Sequence, residues 1–197
     1  GLFNGYGHLI FVNGDQYKGE WLDGVQNGHG VMEYISGDYY DGQWKDNKHH
    51  GEGTRRYVHG ASYIGDWIAG MMHGNGKYHY SNGDTYSGQF RDDKIHGEEG
   101  CMQYSNGDVY NGVFHSNARN GFGRMVFHNG DEYCGDWVED RRNGQGEQKW
   151  AQDGSTYIGC WVQDSIEGEG QYNLSGGIVY IGTFAAALLN GQGKFIS

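Results

Sequence analysis

From Tyr17 to Trp21 the chain alternates without a break: Tyr17, Gly19 and Trp21 point one way, Lys18 and Glu20 the other. A period of two with one apolar and one charged side predicts a strand with one wet face. A second run predicts a second strand, with Gly28, Gly30, Met32 and Tyr34 on one face and His29, Val31 and Glu33 on the other. The stretch between them, Leu22 to Asn27, reads as a polar loop. Its equivalents hold Gly24, Asn47, Gly70, Asp93, Asn117, Asp140 and Asp164, residue types that tolerate a left-handed turn. The second strand runs into a tight-turn signal, Ser36-Gly37, and later Asn82-Gly83, Asn106-Gly107 and Asn129-Gly130. Asn-Gly between alternating strands is the strongest short-range hairpin signal.

This two-strand phrase recurs. Tyr17, Tyr40, Tyr63, Tyr86, Tyr110, Tyr133, Tyr157 and Tyr180 each open a Tyr-x-Gly-x-Trp/Phe motif, 23 residues apart with two steps of 24. A fixed period of that length predicts a repeat array whose units contact only their neighbours. Repeats begin at residues 14, 37, 60, 83, 107, 130, 154 and 177, after a partial repeat over residues 1–13. In that partial unit Phe3-Asn4-Gly5-Tyr6-Gly7, with Leu9 and Phe11, is the second half of a repeat, so the chain reads as a piece of a longer array over 1–197.

The predicted fold is all-β: an elongated, single-layer antiparallel sheet of consecutive hairpins, a solenoid-like rod of about seventeen strands and about 80 Å at roughly 4.8 Å per strand. With no helix to cover the sheet, rings must shield it themselves by lying across glycines of the neighbouring strand. Twist should bend the sheet toward that face and set the rings in a groove. Two units carry an extra residue, at Gly97-Glu98-Glu99-Gly100 and at Ala151-Gln152-Asp153. Because Met102 and Tyr104 resume the pattern, a bulge near Glu98 must absorb the first.

Composition narrows the function. There are 38 glycines and no proline, with aromatics at 15%. The rings are too many and too regular for a disordered linker. Net charge is −11, and the 14 Lys and Arg never run longer than a pair. That argues against nucleic acid, whose binding rests on basic clusters neutralising phosphates, and leaves only weak phospholipid contact in prospect. The three cysteines sit at no matching repeat position, so no disulfide framework is implied. Nothing reads as a secretory leader, and the aliphatic stretch Ala185 to Leu189 is too short to span a bilayer.

Gly14-Asp15-Gln16-Tyr17-Lys18-Gly19-Glu20-Trp21 followed by Asn27-Gly28-His29-Gly30 resembles the signature of MORN repeats (membrane occupation and recognition nexus), and the likeness covers the whole chain. Later units drift: Phe90, Phe114 and Phe184 stand for Trp, and Ser155 and Ile178 for Asp. A chain made only of such repeats resembles the cytoskeletal scaffold proteins of protozoan parasites. That resemblance implies a non-enzymatic, rod-like, homodimeric organiser of the cytoplasmic cortical cytoskeleton. The same repeats also occur as appendages of lysine methyltransferases and phosphatidylinositol phosphate kinases, and in membrane tethers. Two alternatives follow: a phosphoinositide or membrane-binding module, and the regulatory repeat region of a larger enzyme.

No catalytic constellation emerges. The Gly-x-Gly pairs never extend to a phosphate-cradling fingerprint before a helix, and Asp15, Asp38, Asp84, Asp108 and Asp131 recur with the turns, as structural residues do. His50, His73 and His96 share a repeat position with Asn27, Asn120, Asn143 and Asn190, which suits a polar loop contact better than a metal ligand. Cys134, Cys160 and His128 are weak zinc candidates, since Cys and His suit zinc but no Cys-x-x-Cys exists; no other cofactor is expected. A partner groove for cytoskeletal proteins is expected along Tyr63, Trp67, Tyr80, Tyr86, Phe90, Tyr104, Tyr110, Phe114 and Phe127. Residues 154–197 carry only four charged side chains, Asp164, Glu167, Glu169 and Lys194, and gain aliphatics. Charge depletion with apolar gain marks an interface, so a homodimer is expected through Ile178, Val179, Ile181, Phe184, Leu188 and Leu189.

Overall fold

The computed structural model describes residues 1–196. It is all-β, built of antiparallel strands, and within each unit every hairpin is hydrogen-bonded to the next. The chain divides into two compact units, Gly1–Ile95 and His96–Ser197. In the first, strands follow in chain order: β1 (Gly5–Ile10), β2 (Gln16–Leu22), β3 (Val25–Glu33), β4 (Tyr39–Lys45), β5 (Lys48–Arg56), β6 (Ser62–Ile68), β7 (Met71–His79), β8 (Thr85–Arg91) and the short β9 (Lys94–Ile95). In the second come β10 (Gly97–Gln103), β11 (Val109–His115), β12 (Ala118–Val126), β13 (Glu132–Val138), β14 (Arg141–Lys149), β15 (Thr156–Val162), β16 (Ser165–Asn173), β17 (Val179–Ala185) and β18 (Leu188–Ile196).

The recurring tyrosines explain the recurring glycines. Tyr17, Tyr40, Tyr63, Tyr86, Tyr110, Tyr133 and Tyr157 are fully buried. Each bends back over the glycine two residues on, and its hydroxyl donates to the carbonyl three residues on, at 2.9–3.2 Å. The same ring covers a glycine of the next strand: a Cβ on Gly30 would sit 2.2 Å from the Tyr17 hydroxyl oxygen. The paired strands therefore cross glycine on glycine, Gly19 opposite Gly30, Gly42 opposite Gly53 and Gly135 opposite Gly146. Rings do cover the bare backbone, as the alternation predicted.

Within each unit the tyrosines also meet the Trp or Phe of their own repeat and that of the next, edge to face. In the first unit Tyr17 lies 5.1 Å from Trp21 and 5.3 Å from Trp44, and Tyr40 lies 5.5 Å from Trp67. In the second, Tyr110 meets Trp137 at 5.5 Å, Tyr133 meets Trp161 at 5.3 Å and Tyr157 meets Phe184 at 5.1 Å. Edge-to-face pairs contribute about 0.5–1.5 kcal/mol each beyond burial, so this ladder stands in for the aliphatic core the composition lacks. Indole N–H groups of Trp44, Trp67 and Trp137 tie each repeat back to a glycine carbonyl of the previous one.

The turns exchange the roles read from sequence. The polar loop Leu22 to Asn27 is a two-residue turn, since β3 already begins at Val25. Asp23 and Gly24 both have positive φ, as do Asp46 with Asn47 and Ala69 with Gly70. That is the pairing required by the primed hairpin turn, whose twist matches the strands. The Ser-Gly and Asn-Gly sites form the longer connection: Gly37 N–H donates to Tyr34 O and Tyr34 N–H to Asp38 O, with φ positive only at the glycine.

A second correction concerns Gly28. It does not share a face with Gly30, because the second strand of this hairpin carries two extra residues in a bulge: Gly19 faces Gly30 but Trp21 faces Gln26. Gly28 has φ +93°, and a Cβ there would strike the Glu20 carboxylate. That carboxylate accepts the bulge amide of His29 at 3.0 Å, and Asp66 and Asp136 do the same for Asn75 and Gln145. The extra residue near Glu98 is absorbed as expected, by a register shift between Gly97 and Gly100. The one at Ala151-Gln152-Asp153 only lengthens its turn, closed by Trp150 N–H to Ser155 O.

Both ends of the hairpins are stitched to their neighbours. Asp15, Asp38, Asp108 and Asp131 each accept a backbone N–H from the turn one repeat on, at Ile35, Val58, His128 and Ala151, over 2.8–2.9 Å. At the other end Asn47, Asp93, Asp140 and Asp164 accept from Gln26, Met72, Arg119 and Arg142. The recurring Asp is a structural clamp.

Candidate interaction surface

The nine residues expected to form the partner groove divide by depth. Tyr63, Trp67, Tyr86, Phe90, Tyr110 and Phe114 are buried in the ladder. Tyr80, Tyr104 and Phe127 are half-buried. They belong to a second, outer row at the residue just before each long turn: Phe11, Tyr34, Tyr57 and Tyr80 in the first unit, Tyr104, Phe127 and Trp150 in the second. Four of that row (Phe11, Tyr34, Tyr57, Trp150) and the adjoining Tyr78 were not among the residues expected in the groove; the 23-residue spacing of residues 11, 34, 57 and 80 was the signal available.

In the first unit the outer row is pinned. The Arg55 guanidinium lies 4.8 Å from the Tyr57 ring centre and 5.6 Å from that of Tyr34, and reaches Asp38 at 3.5 Å. Tyr78 bridges Tyr57 at 6.3 Å and Tyr80 at 4.5 Å. Burial raises the phenol pKa of Tyr34, Tyr57 and Tyr78 while Arg55 pulls it back, so all three stay neutral donors at physiological pH.

Between ladder and outer row runs one variable position, just before the Asn/His-Gly pair or, at Ile166, before Glu167-Gly168: Gln26, His49, Met72, Ile95, Arg119, Arg142 and Ile166. His49 is buried, stacked 3.6 Å on Tyr40, and its Nε2 meets the Tyr34 hydroxyl at 3.2 Å. Burial, aided by Arg55, lowers its pKa to about 4. Arg119 and Arg142 lie 4.3 and 4.1 Å over Trp137 and Trp161 and pair with Asp140 and Asp164.

Hollows flank this ladder on both faces. On the ring side of the first unit one of about 450 Å³ is walled by Phe11, Trp21 and Met32, and on that of the second a smaller one of about 200 Å³ lies between Phe127, Arg142 and Trp150. The larger hollows lie on the opposite face, about 820 Å³ by Asp41, Glu52, Asp66 and Lys77 in the first unit and about 570 Å³ by Ile158, Cys160 and Ile181 in the second. The rings thus fill their own face rather than line a deep groove.

At the C-terminal end Ile178, Ile181, Leu188 and Leu189 are exposed and Val179 half-buried, whereas Phe184 is buried between Tyr157 and Tyr180. Among the described residues no group of three or more His, Cys, Asp or Glu side chains is gathered around a metal-sized space. His128 Nδ1 meets Asp108 at 3.1 Å, Cys160 Sγ accepts from Gln145, and Cys134 sits opposite Arg124 and Glu147.

With this geometry the family is defined: the chain is a MORN-repeat protein. The MORN repeat matches along its length, over residues 1–16, 17–39, 40–61, 63–85, 86–109, 110–132, 133–155, 157–177 and 180–197. No curated protein sequence matches it. Among solved structures it is similar to the SAS-4 (dCPAP) TCP domain of Drosophila melanogaster in complex with a proline-rich motif of Ana2, at 11% identity and TM-score 0.48, over 98% of this chain and 89% of that one. It is similar as well to the CPAP G-box domain, at 12% identity and TM-score 0.44, over 98% and 99% of the chains. The TCP10 domain of Danio rerio CPAP aligns at 12% identity and TM-score 0.31, over 96% and 97%.

Proposed function

We propose that this MORN-repeat chain is a non-enzymatic, cytoskeleton-associated scaffold of the cytoplasm that holds protein partners along its outer aromatic row. The observation that carries this reading is the pinned row Tyr34, Arg55, Tyr57, Tyr78 and Tyr80. Its rings are held by tilted ring–ring and cation–π contacts while remaining half-open to solvent. Rigid amphipathic rings with a half-buried Arg bind at little entropic cost, and Tyr and Arg are enriched at interface hot spots. The buried rings of Tyr86 and Tyr110 serve stability instead. The test is affinity capture followed by identification of the partner, repeated with Tyr57→Ala and Tyr80→Ala. Loss of one specific cytoskeletal protein with unchanged melting supports the reading. Retention of it by both variants overturns it.

The scaffold is proposed to pair with a second copy through its last two repeats. Ile178, Ile181, Leu188 and Leu189 are exposed, with Leu188 at 71%, in the stretch where charge falls to four side chains. Apolar exposure without neighbouring charge is what a homodimer surface covers.

A further inference from the structure

The ring-side hollow of the first unit differs from the corresponding place one repeat on. There the buried His49 has its Nε2 met by the Tyr34 hydroxyl at 3.2 Å and only its Nδ1 left without a partner. Here the equivalent residue is Gln26, only 4% exposed, and the residue in the place of Tyr34 is Phe11, which has no hydroxyl. The Gln26 backbone is used up: its N–H donates to Asn47 Oδ1 at 2.8 Å and its carbonyl accepts from Asn47 N–H at 3.1 Å. Its side-chain Nε2 is buried with no hydrogen-bond partner. Leaving such a donor unmet costs more than making the bond gains.

The hollow that Gln26 lines measures about 450 Å³ and is walled by Phe3, Leu9, Phe11, Trp21 and Met32. That is the size and lining of a small-ligand or side-chain pocket, apolar with one polar group to fix orientation. Its rim holds Asp15, already accepting Ile35 N–H and Asn13 Nδ2, and no Lys or Arg lines it. An anion would meet a carboxylate and no cation. The missing element is therefore a neutral acceptor oxygen on an apolar body.

We infer that this hollow is a peptide-docking pocket: it takes an apolar side chain of a protein partner and the Gln26 amide donates to that segment's backbone carbonyl. The inference rests on the partner-docking reading above but occupies a separate place, so each can fail alone. The test uses the full chain with methyl-labelled Met32 and the Trp21 indole followed by NMR, titrated with N-acetyl-leucine N-methylamide and, separately, with N-acetyl-leucine as the carboxylate. Both signals should move with the neutral amide and move far less with the carboxylate. In Gln26→Met, whose side chain matches Met72 at the equivalent position, the amide's affinity should fall about tenfold, the worth of one hydrogen bond. The melting temperature of that variant should hold or rise, because an unmet donor is gone. No movement in the wild-type signals, or equal affinity in Gln26→Met, overturns the pocket's assigned chemistry. A marked fall in melting temperature for Gln26→Met shows a structural partner for the amide and overturns it as well. Partner capture through Tyr57 and Tyr80 is unaffected by any of these outcomes.

Discussion

A glycine in this chain is worth what lies over it. Gly30 sits beneath the Tyr17 ring, where a methyl group would come within 2.2 Å of its oxygen. Gly60, at φ +90° in a turn, has nothing within 4 Å. Gly30→Ala should cost about 3 kcal/mol or more, because ring or backbone must shift. Gly60→Ala should cost about 1 kcal/mol, the left-handed penalty alone. Urea unfolding checks both, and equal losses would mean that the ring is not what holds glycine at residue 30. His49 carries the pH dependence at this scale. Its folded pKa, about 4, lies below the ordinary 6.5 because burial between Tyr40, Trp44 and Trp67 opposes charge and Arg55 adds to it. The unfolded chain thus binds the proton first. The contribution is whole above pH 6.5 and is lost as pH falls from there to about 4, roughly 3 kcal/mol in all. In His49→Met that part of the slope should disappear from the pH profile of thermal unfolding; an unchanged profile assigns it elsewhere.

The hairpin is held less by its own turns than by those of its neighbours. Asp131 accepts the Ala151 amide one repeat on, at 2.8 Å, and the Asn129 side chain in its own turn. The site is exposed, so water replaces much of what is lost. Asp131→Ala should cost about 1 kcal/mol and speed hydrogen exchange at Ala151 in particular. Exchange that quickens evenly along the chain, or not at all there, would deny the clamp. The same scale shows why alternation mispredicted the second strand. Two extra residues around Gly28 leave the pattern at Met32 intact, since an even insertion restores the facing. The Glu20 carboxylate that satisfies the bulge is nine residues away from His29, a distance no local pattern reports.

For the whole molecule the question is how many copies assemble. If the C-terminal repeats pair, the intact chain should weigh about two protomers by light scattering, closed about a two-fold axis. A chain ending before Gly154 should weigh about one. A truncated chain that still dimerises would move the interface to another face, the outer aromatic row being the first to examine. Phe184 should not be among the contact residues, since it is already buried against Tyr157 and Tyr180.

The 23-residue period, the all-β class, the hairpin unit and the covering of glycine by rings were all written in the sequence, because each is local: tyrosine and glycine sit two residues apart and the facing alternates by two. The bulge at Glu98 was legible for the same reason, one odd residue in an even pattern. Which rings stay open to a partner was not. Tyr63 and Tyr80 look alike in sequence, yet one is sealed against the next repeat's Phe90 and the other stands at the rim, and that depends on neighbours a repeat away. The unmet amide of Gln26 was likewise invisible, for it is defined by a hydroxyl that Phe11, fifteen residues earlier, does not have.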